Sequence, residues 1–351
     1  MDNSIEIKLL SKDNYQQWNE YVTTKEDGTF FHLAEWQQVI EKAFGHKTYM
    51  YYALSKKEGL EVGEKIVGVL PLCHVKSMLF GNNLVSMPFT VYGGIIADSD
   101  EIRQKLQQQA CELAEKLKVD SLEMRERKIN NPDWPTKELY VTFRKEISDD
   151  EEENMKAIPR KQRAMVRKGI KAELVSEVDE NIDRFFDAYS HSVWRLGTPV
   201  FAKKYFQILK DTFKENCDIV TITKDGEVVA SVMNFYFRDQ VLPYYGGGKD
   251  SARALAGNDF MYWEVMRRAV EKGCKVFDFG RSKEGTGAYS FKKNWGFTPE
   301  PLPYQYYLVK ADEMPEINPN NPKYKFFIDT WKKMPLGISR VLGPMISKNL
   351  G

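Results

Sequence analysis

The sequence predicts an α/β chain, of the α+β kind, made by tandem duplication of one unit. Two observations carry this. The order hairpin, glycine turn, helix, strand occurs twice, and its later elements overlay: Lys65–Lys76 (KIVGVLPLCHVK) on Glu227–Arg238 (EVVASVMNFYFR), and Tyr92-Gly93-Gly94 on Tyr245-Gly246-Gly247. The strands that close the two copies, SLEMRE (Ser121–Glu126) and VFDFGR (Val276–Arg281), then align Glu123 with Asp278. A period of roughly 150 residues marks a duplicated domain and not a solenoid, whose repeats are far shorter.

Each element has a local reason. In the first copy Ile5–Leu10 alternates as a strand, and Asp13–Glu20 begins a helix behind Ser11 or Asp13. Ala34–Phe44 has a helical apolar pattern closed by Gly45. Strands Thr48–Leu54 and Lys65–His74 follow, then Leu84–Pro88, the long amphipathic helix Glu101–Lys118 and the strand Ser121–Arg125. In the second copy Asp183–Ser192 and Ala202–Phe213 read as helices. Ile219–Lys224 and Val228–Phe237 form a hairpin through a Lys-Asp-Gly turn. Val241–Tyr245 runs into three glycines, and helix Asp259–Lys272 leads to strand Val276–Phe279.

The domains divide as 1–150, 151–315 and a tail, 316–351. At the junction the acidic run DDEEE (149–153) meets Lys156–Lys171, which holds seven Lys/Arg and no acid. Pro159 suits the first turn of that basic helix and Gly169 its C-terminal cap. The tail places Tyr324, Phe327, Ile328 and Trp331 on one helical face, with lysines elsewhere. A helix docked on its own domain is the expected reading, and peripheral contact with an anionic membrane is the rival.

The chain has 351 residues, 42% hydrophobic and 29% charged, and a formal net charge of +1, which gives no global pull toward nucleic acid or lipid. Four cysteines (Cys73, Cys111, Cys217, Cys274) and four histidines are scattered, without metal-ligand spacing, so neither a metal site nor a disulfide framework is expected. The start, MDNSIEIKLL, has no signal-peptide pattern, and no apolar run is long enough to span a bilayer. A soluble cytoplasmic protein is expected, with the tail as the one candidate for contact at the inner face of the membrane.

Nucleophile motifs, HExxH and phosphate-binding Walker loops do not occur, so chemistry here is expected to rest on positioning and electrostatics. The densest stretch is FDFGRSKEGTGAYSFKKNWGF (Phe277–Phe297). It brings Asp278 and Arg281 to a strand's carboxyl end, where α/β folds bind ligands, and sets Phe291 beside Lys292 and Lys293. Lys292 is the candidate for holding a phosphate or a developing oxyanion. Asp278 is either a base for an amine or a strand-end acid paired with Arg281. Arg160, Arg163 and Arg167 fall on one helix face suited to a diphosphate, unless the adjacent acids neutralise them.

This stretch resembles the C-terminal motif of the Fem family of peptidoglycan-bridge aminoacyltransferases, a Gly-x-Tyr-x-Phe-Lys run before a Gly-Phe. It stands here as Gly287-Ala-Tyr289-Ser-Phe291-Lys292, then Gly296-Phe297. FFHLAEW (30–36), GVLPLCHVKSMLFGN (68–82), IPRKQRAMVRKGI (158–170) and AGNDFMYWEVMRRA (256–269) are similar to FemAB-like proteins of exosortase/PEP-CTERM and exopolysaccharide systems. The resemblance implies two GNAT-like domains, each a mixed, largely antiparallel sheet flanked by helices. It also implies that Lys292 stabilises the donor or the intermediate, and that Trp36, His74 and Tyr92 help build an acceptor groove. Gly246 and Gly247 would line the donor side, and Tyr245 either lines the groove between the halves or packs in the core. The helical arm that often accompanies a tRNA donor is missing, so aminoacyl-tRNA and acyl-CoA both stay open. A CoA loop would lie at Arg253, Gly257 and Asn258, with imperfect spacing. The expected activity is N-acyl transfer, of an aminoacyl or acyl group, to an amine of a peptidoglycan or exopolysaccharide precursor, small or lipid-linked. The alternative is a binding module on the same fold.

Overall fold

A computed structural model describes residues 5–57, 63–77, 80–315 and 322–350. Its chain divides into two compact units, 1–139 with 302–316 and 349–351, and 140–301 with 317–348. The division falls at 139/140, where the sequence suggested 150, and the second half returns a segment to the first unit.

The first unit opens with β1 (Ile5–Leu9), α1 (Tyr15–Thr24) and α2 (Trp36–Phe44), which Gly45 closes in the left-handed region at φ 74°. Then come β2 (Lys47–Lys57), β3 (Gly63–Ser77), β4 (Gly81–Val85) and the short β5 (Ile96–Ala97). Helix α3 (Asp100–Leu117), capped by Ser99, and β6 (Ser121–Met124) complete the run. β1, β2, β3 and β4 pair antiparallel in that order, and β6 joins β4 in parallel. The apolar face of α3 (Ile102, Leu106, Ala110, Leu113) packs on Tyr51, Leu70, Leu72, Leu84 and Leu122 of this sheet. Burial of this size is the main favourable term for the unit.

Strand β7 (Thr136–Glu146) leads into the second unit through α4 (Glu151–Ala157), α5 (Arg160–Lys171), β8 (Val175–Val178), α6 (Asp183–Leu196) and α7 (Lys203–Phe213). The hairpin β9 (Cys217–Lys224) and β10 (Glu227–Phe237) turns through Asp225 and Gly226, both at positive φ, as the Asp-Gly pair requires. Next are β11 (Gln240–Gly248), α8 (Ser251–Leu255), α9 (Gly257–Glu271), β12 (Val276–Asp278), β13 (Ser282–Lys283), α10 (Gly287–Asn294) and β14 (Pro299–Leu308). β8, β9, β10 and β11 pair antiparallel in order, and β12 joins β11 in parallel.

The duplication is therefore legible strand by strand. In each unit four antiparallel strands are followed by a helix and one parallel strand, and Glu123 and Asp278 are both third in theirs. What the repeat does not show is how each parallel strand is covered on its far side. Gln305–Leu308 of β14 pair with β6, while Arg144–Glu146 of β7 pair with β12. Each half of the chain thus supplies the sheet-completing strand of the other unit.

Two local expectations are corrected. The glycines 246–248 are not a turn but the last residues of β11, because α6 packs against them: a Cβ on Gly247 would sit 2.6 Å from Ser192 Cβ. Gly169 is not a cap but lies inside α5, where its missing Cβ lets Phe260 of α9 come close. After β14 the tail forms α11 (Pro322–Lys333) and α12 (Leu336–Ser347). Ile328 packs on Gly197, Trp331 is buried, and Trp194 Nε1 donates to Met334 O at 2.7 Å, so the Ile328/Trp331 face lies on α6. The side chains of Lys323, Tyr324 and Lys325 fall outside the described residues.

Candidate functional site

In the second unit β11 and β12 are hydrogen-bonded in register only at Gln240–Val276 and Val241–Phe277. β11 then continues to Gly248 while β12 ends at Asp278, so two parallel strands part company after a two-residue clasp. Such a parting at strand carboxyl ends is the usual ligand position of a parallel pair, and here Asp278 and Phe279 lie buried at it while Gly246 is half-buried. Aromatic rings meet there. Tyr262 of α9 lies 4.9 Å from Phe279 and 5.5 Å from Phe291 between ring centroids, and a Cβ on Gly246 would come within 3.4 Å of its hydroxyl. Burial pushes the Tyr262 phenol up to about 12, so it stays a hydrogen-bond donor at physiological pH.

Lys292 dominates the electrostatics. Its Nζ donates to the carbonyls of Phe279 (2.7 Å), Gly280 (3.1 Å) and Arg281 (3.1 Å), which uses all three ammonium protons. Phe143 and Phe279 rings stand about 6 Å from it. Burial lowers its pKa to about 7; Asp278 opposes the shift and Arg281 adds to it. The three carbonyls act the other way, holding the proton on. The local fold that delivers it is simple: Thr286 caps α10 by accepting from Tyr289 N, and Lys292 follows in the last turn.

Asp278 is almost fully buried. Its Oδ1 accepts from Gly280 N at 2.7 Å, and its Oδ2 lies 3.3 Å from Arg144 Nε. That engagement makes it a positioning carboxylate for the 279–281 loop. Arg281 stacks on Tyr140 at 4.5 Å. Phe291, expected to face a ligand, packs against Tyr262, Phe279 and Trp295.

Other expected residues go elsewhere. Tyr245 is buried in a ring cluster with Tyr189, Phe201, Phe206 and Tyr244, its hydroxyl 2.9 Å from that of Tyr205. Gly247 is buried under α6, which leaves Gly246 as the glycine of the pair beside Tyr262. In the first unit Trp36 is fully buried, donating to Phe30 O at 3.0 Å, and offers a groove no surface. His74 pairs with Asn82 Oδ1 across the β3–β4 hairpin at 2.6 Å. Tyr92 does line a cavity of about 320 Å³, together with His32, Arg103, Glu126 and Arg127.

The start of α9 fits a CoA diphosphate poorly. Arg253 belongs to the separate helix α8, and Ala256 precedes α9 in the left-handed region. Gly257 is buried because a Cβ there would meet Val229 at 2.4 Å. Asn258 is not the cap but the second residue of α9. The carboxylate of Asp259 sits at this helix end, accepting from Gln162 Nε2 (2.7 Å), Trp295 Nε1 (3.0 Å) and its own amide. An anion bound to these amides would face that acid.

Asp259 and Tyr262 are the residues that motif reading missed. Their spacing of three on a helix start was the available signal. Burial raises the Asp259 pKa against its hydrogen bonds. Asp259 ties α5 to α9 and to Trp295 after α10, and Pro159 at the head of α5 lies against Gly296. On α5, Arg163 is committed to the carbonyls of Lys156 and Ile158, whereas Arg160 and Arg167 are exposed. The acidic run does not neutralise them. It builds α4 instead, where Asp150 caps the amides of Glu152 and Glu153, Glu152 pairs with Lys156, and Glu151 with Arg267. Arg160, Arg167, Lys168 and Lys171 therefore line an open concavity as a positive surface.

Comparison with known proteins follows the same lines. Residues 153–293 match the family of the acetyltransferase (GNAT) domain. No curated protein matches the sequence. Among solved structures the chain is similar to FemX, at 15% identity and TM-score 0.67 over 92% of this chain and 100% of that one. It is also similar to a tandem GNAT protein from the clavulanic acid biosynthesis pathway, at 12% identity and TM-score 0.52 over 88% of this chain and 100% of that one. A third is the C-terminal domain of a putative lysylphosphatidylglycerol synthetase from Agrobacterium fabrum, at 10% identity and TM-score 0.53 over 84% and 91%. At such identities the shared property is the fold. The chain carries a GNAT domain in its second half and is an acyltransferase of tandem GNAT-like architecture.

Proposed function

We propose that this acyltransferase moves an aminoacyl or acyl group onto an amine of a peptidoglycan or exopolysaccharide precursor. The observation that carries the proposal is the placement of Lys292, whose ammonium is held by the carbonyls of Phe279, Gly280 and Arg281 beyond β12, beside the parting of β11 and β12. When an amine attacks an ester or thioester carbonyl, a C–N bond forms and negative charge grows on the carbonyl oxygen; the carbonyl then re-forms as the C–O or C–S bond breaks, and the amine's proton ends on the departing alcohol or thiol. A preorganised positive charge in a poorly hydrated site stabilises that oxygen more than the ground state. Lys292 supplies the charge, Tyr262 a phenol that keeps its proton, and Asp278 holds the Phe279–Arg281 loop.

The acceptor's diphosphate is assigned to Arg160 and Arg167, with Lys168 and Lys171, because the neighbouring acids Glu152 and Glu151 pair with Lys156 of α4 and Arg267 of α9. An aminoacyl donor is favoured over acyl-CoA, since Asp259 occupies the helix end that a CoA diphosphate would need. The likeness to FemAB-like proteins of exosortase/PEP-CTERM systems supports an exopolysaccharide acceptor as one form of this reading. A binding module is the second reading, and the full commitment of the Lys292 protons to carbonyls favours it.

The test is to incubate the full chain with aminoacyl-tRNA or acetyl-CoA and UDP-linked muramyl peptide or amino sugar, then read products by mass spectrometry. An amide product is expected with aminoacyl-tRNA. Replacing Arg160 and Arg167 by Ala should raise the acceptor KM roughly tenfold at unchanged stability. Acceptor binding without product from either donor would establish the binding module instead.

A further inference from the structure

Helix α12 is folded inside out. The residues it turns toward the protein are Ser339, Gly343 and Ser347, one per turn. Gly343 lies so close to Val200 that a Cβ would fall 2.8 Å from its amide nitrogen, and Ser347 Oγ donates to Val200 O at 3.1 Å. Arg340 reaches inward too, donating to Ser190 Oγ at 2.9 Å and to Asp187 Oδ1 at 2.6 Å. The apolar residues point out: Ile338, Val341, Leu342 and Met345 are 49%, 69%, 38% and 65% exposed. At about 100° per residue these four occupy one arc of roughly 100°. A helix that packs by its small and polar residues while presenting its large apolar ones to the outside has kept that stripe for another surface.

Charge says which surface. From Trp331 to the end, the sequence has no Asp or Glu, and Lys332, Lys333, Arg340 and Lys348 are its only charged side chains. Lys332 and Lys333 stand before α12 and Lys348 after it, all exposed. Two copies meeting through this stripe would oppose like charges, and four side chains fall well short of the roughly 1,000 Å² that a stable interface buries. With twelve residues, about 18 Å, the helix is too short to cross a bilayer but long enough to lie in one face of it. No helix among the described residues is long and apolar enough to span a membrane.

We infer that α12 docks the protein on an anionic lipid surface, with Ile338, Val341, Leu342 and Met345 entering the acyl boundary and Lys332, Lys333 and Lys348 at the headgroups. The inference does not depend on the acyl-transfer reading. The test is co-sedimentation of the full chain with vesicles of phosphatidylcholine, with and without phosphatidylglycerol. Binding is expected only to the anionic vesicles, to fall about tenfold in Ile338→Glu/Val341→Glu, and to weaken with salt. An unchanged thermal midpoint in that variant separates lost docking from misfolding. If it misfolds, Lys332→Gln/Lys333→Gln reads the charge contribution alone, with a loss of about fivefold or more expected. The inference is overturned by absence of binding to anionic vesicles, by equal binding of wild type and variants, or by a dimer in solution that Val341→Glu dissolves.

Discussion

The two copies of the repeat end their parallel strands on chemically different arrangements. In the first, β6 runs into a knot of ion pairs. Glu123 accepts from Arg125 Nε (2.7 Å) and Tyr306 Oη (2.9 Å), and Arg125 also donates to Thr90 O. Glu126 accepts from Ile95 N (3.0 Å), Arg103 Nη1 (2.7 Å) and Asn130 Nδ2 (2.5 Å). Beside them burial pushes His32 down to about 4, which keeps it neutral. In the second copy, Asp278 at the end of β12 holds Gly280 N and faces Arg144 Nε at 3.3 Å, and beyond it lie aromatic rings and the amine of Lys292, whose hydrogen-bond partners are carbonyls. The same strand position holds an engaged carboxylate in both units, and only in the second does a lysine from a following helix, Lys292 of α10, reach the loop beyond it. Duplication supplies two equal scaffolds, and only where charge is left incompletely neutralised can it act on a bound reactant.

That contrast can be broken at either end. The largest effect is expected from Lys292→Met, which keeps the side-chain volume and removes the charge: transfer should fall by about a hundredfold or more in kcat, at nearly unchanged KM. Full activity in this variant would end the assigned role. Arg103→Met in the first unit should do the reverse. It leaves the nearly buried Glu126 short of its cation and should cost about 3 kcal/mol in urea unfolding, with activity per folded molecule preserved. A loss of kcat without loss of stability there would erase the distinction between the copies.

The smallest effect sharpens the comparison. Lys292 has a folded pKa near 7, below its ordinary 10.5. Between those values the unfolded chain holds a proton on Lys292 that the folded chain has shed, so stability gains from rising pH across this window. Below about pH 7 both states are protonated and the dependence vanishes. Urea midpoints of wild type and Lys292→Met, compared from neutral pH upward, should therefore diverge in favour of wild type. A constant difference would mean that the carbonyls, not burial, set the proton affinity.

Much of this was legible in the sequence for physical reasons that can be named. The Asp225-Gly226 turn, the Gly45 cap, the alternation in the hairpins and the equivalence of Glu123 with Asp278 are local or periodic signals, and they survive folding. Residue type alone misled where one side chain serves two purposes: Trp36 and Tyr245 suit a ligand groove, but their polar atoms found protein partners and their rings were buried. Adjacency left the role of DDEEE open between neutralising the arginines and serving its own helix; in the structure Asp150 caps α4, and Glu151 and Glu152 pair with Arg267 and Lys156. Of the face that the α11 periodicity picked out, Ile328 and Trp331 pack inward and Phe327 stays exposed, while α12, interrupted by Pro344, carries the longer exposed stripe. Pairings across long sequence separations, such as β6 with β14, leave no local pattern at all.

The exchange of those last strands has a consequence in time. A ribosome delivers β6 by residue 124, but the strand that covers its far edge ends only at Leu308. At about 5–20 residues per second that is an interval on the order of 10–40 s, during which the first unit presents an uncovered edge to every other nascent chain nearby. β7, emerging in the meantime, waits for β12 in the same way. Synthesis of this protein is thus a matter of holding two incomplete sheets until Asp278 and Leu308 have emerged, and a fragment cut at the repeat boundary would be left in that unfinished condition.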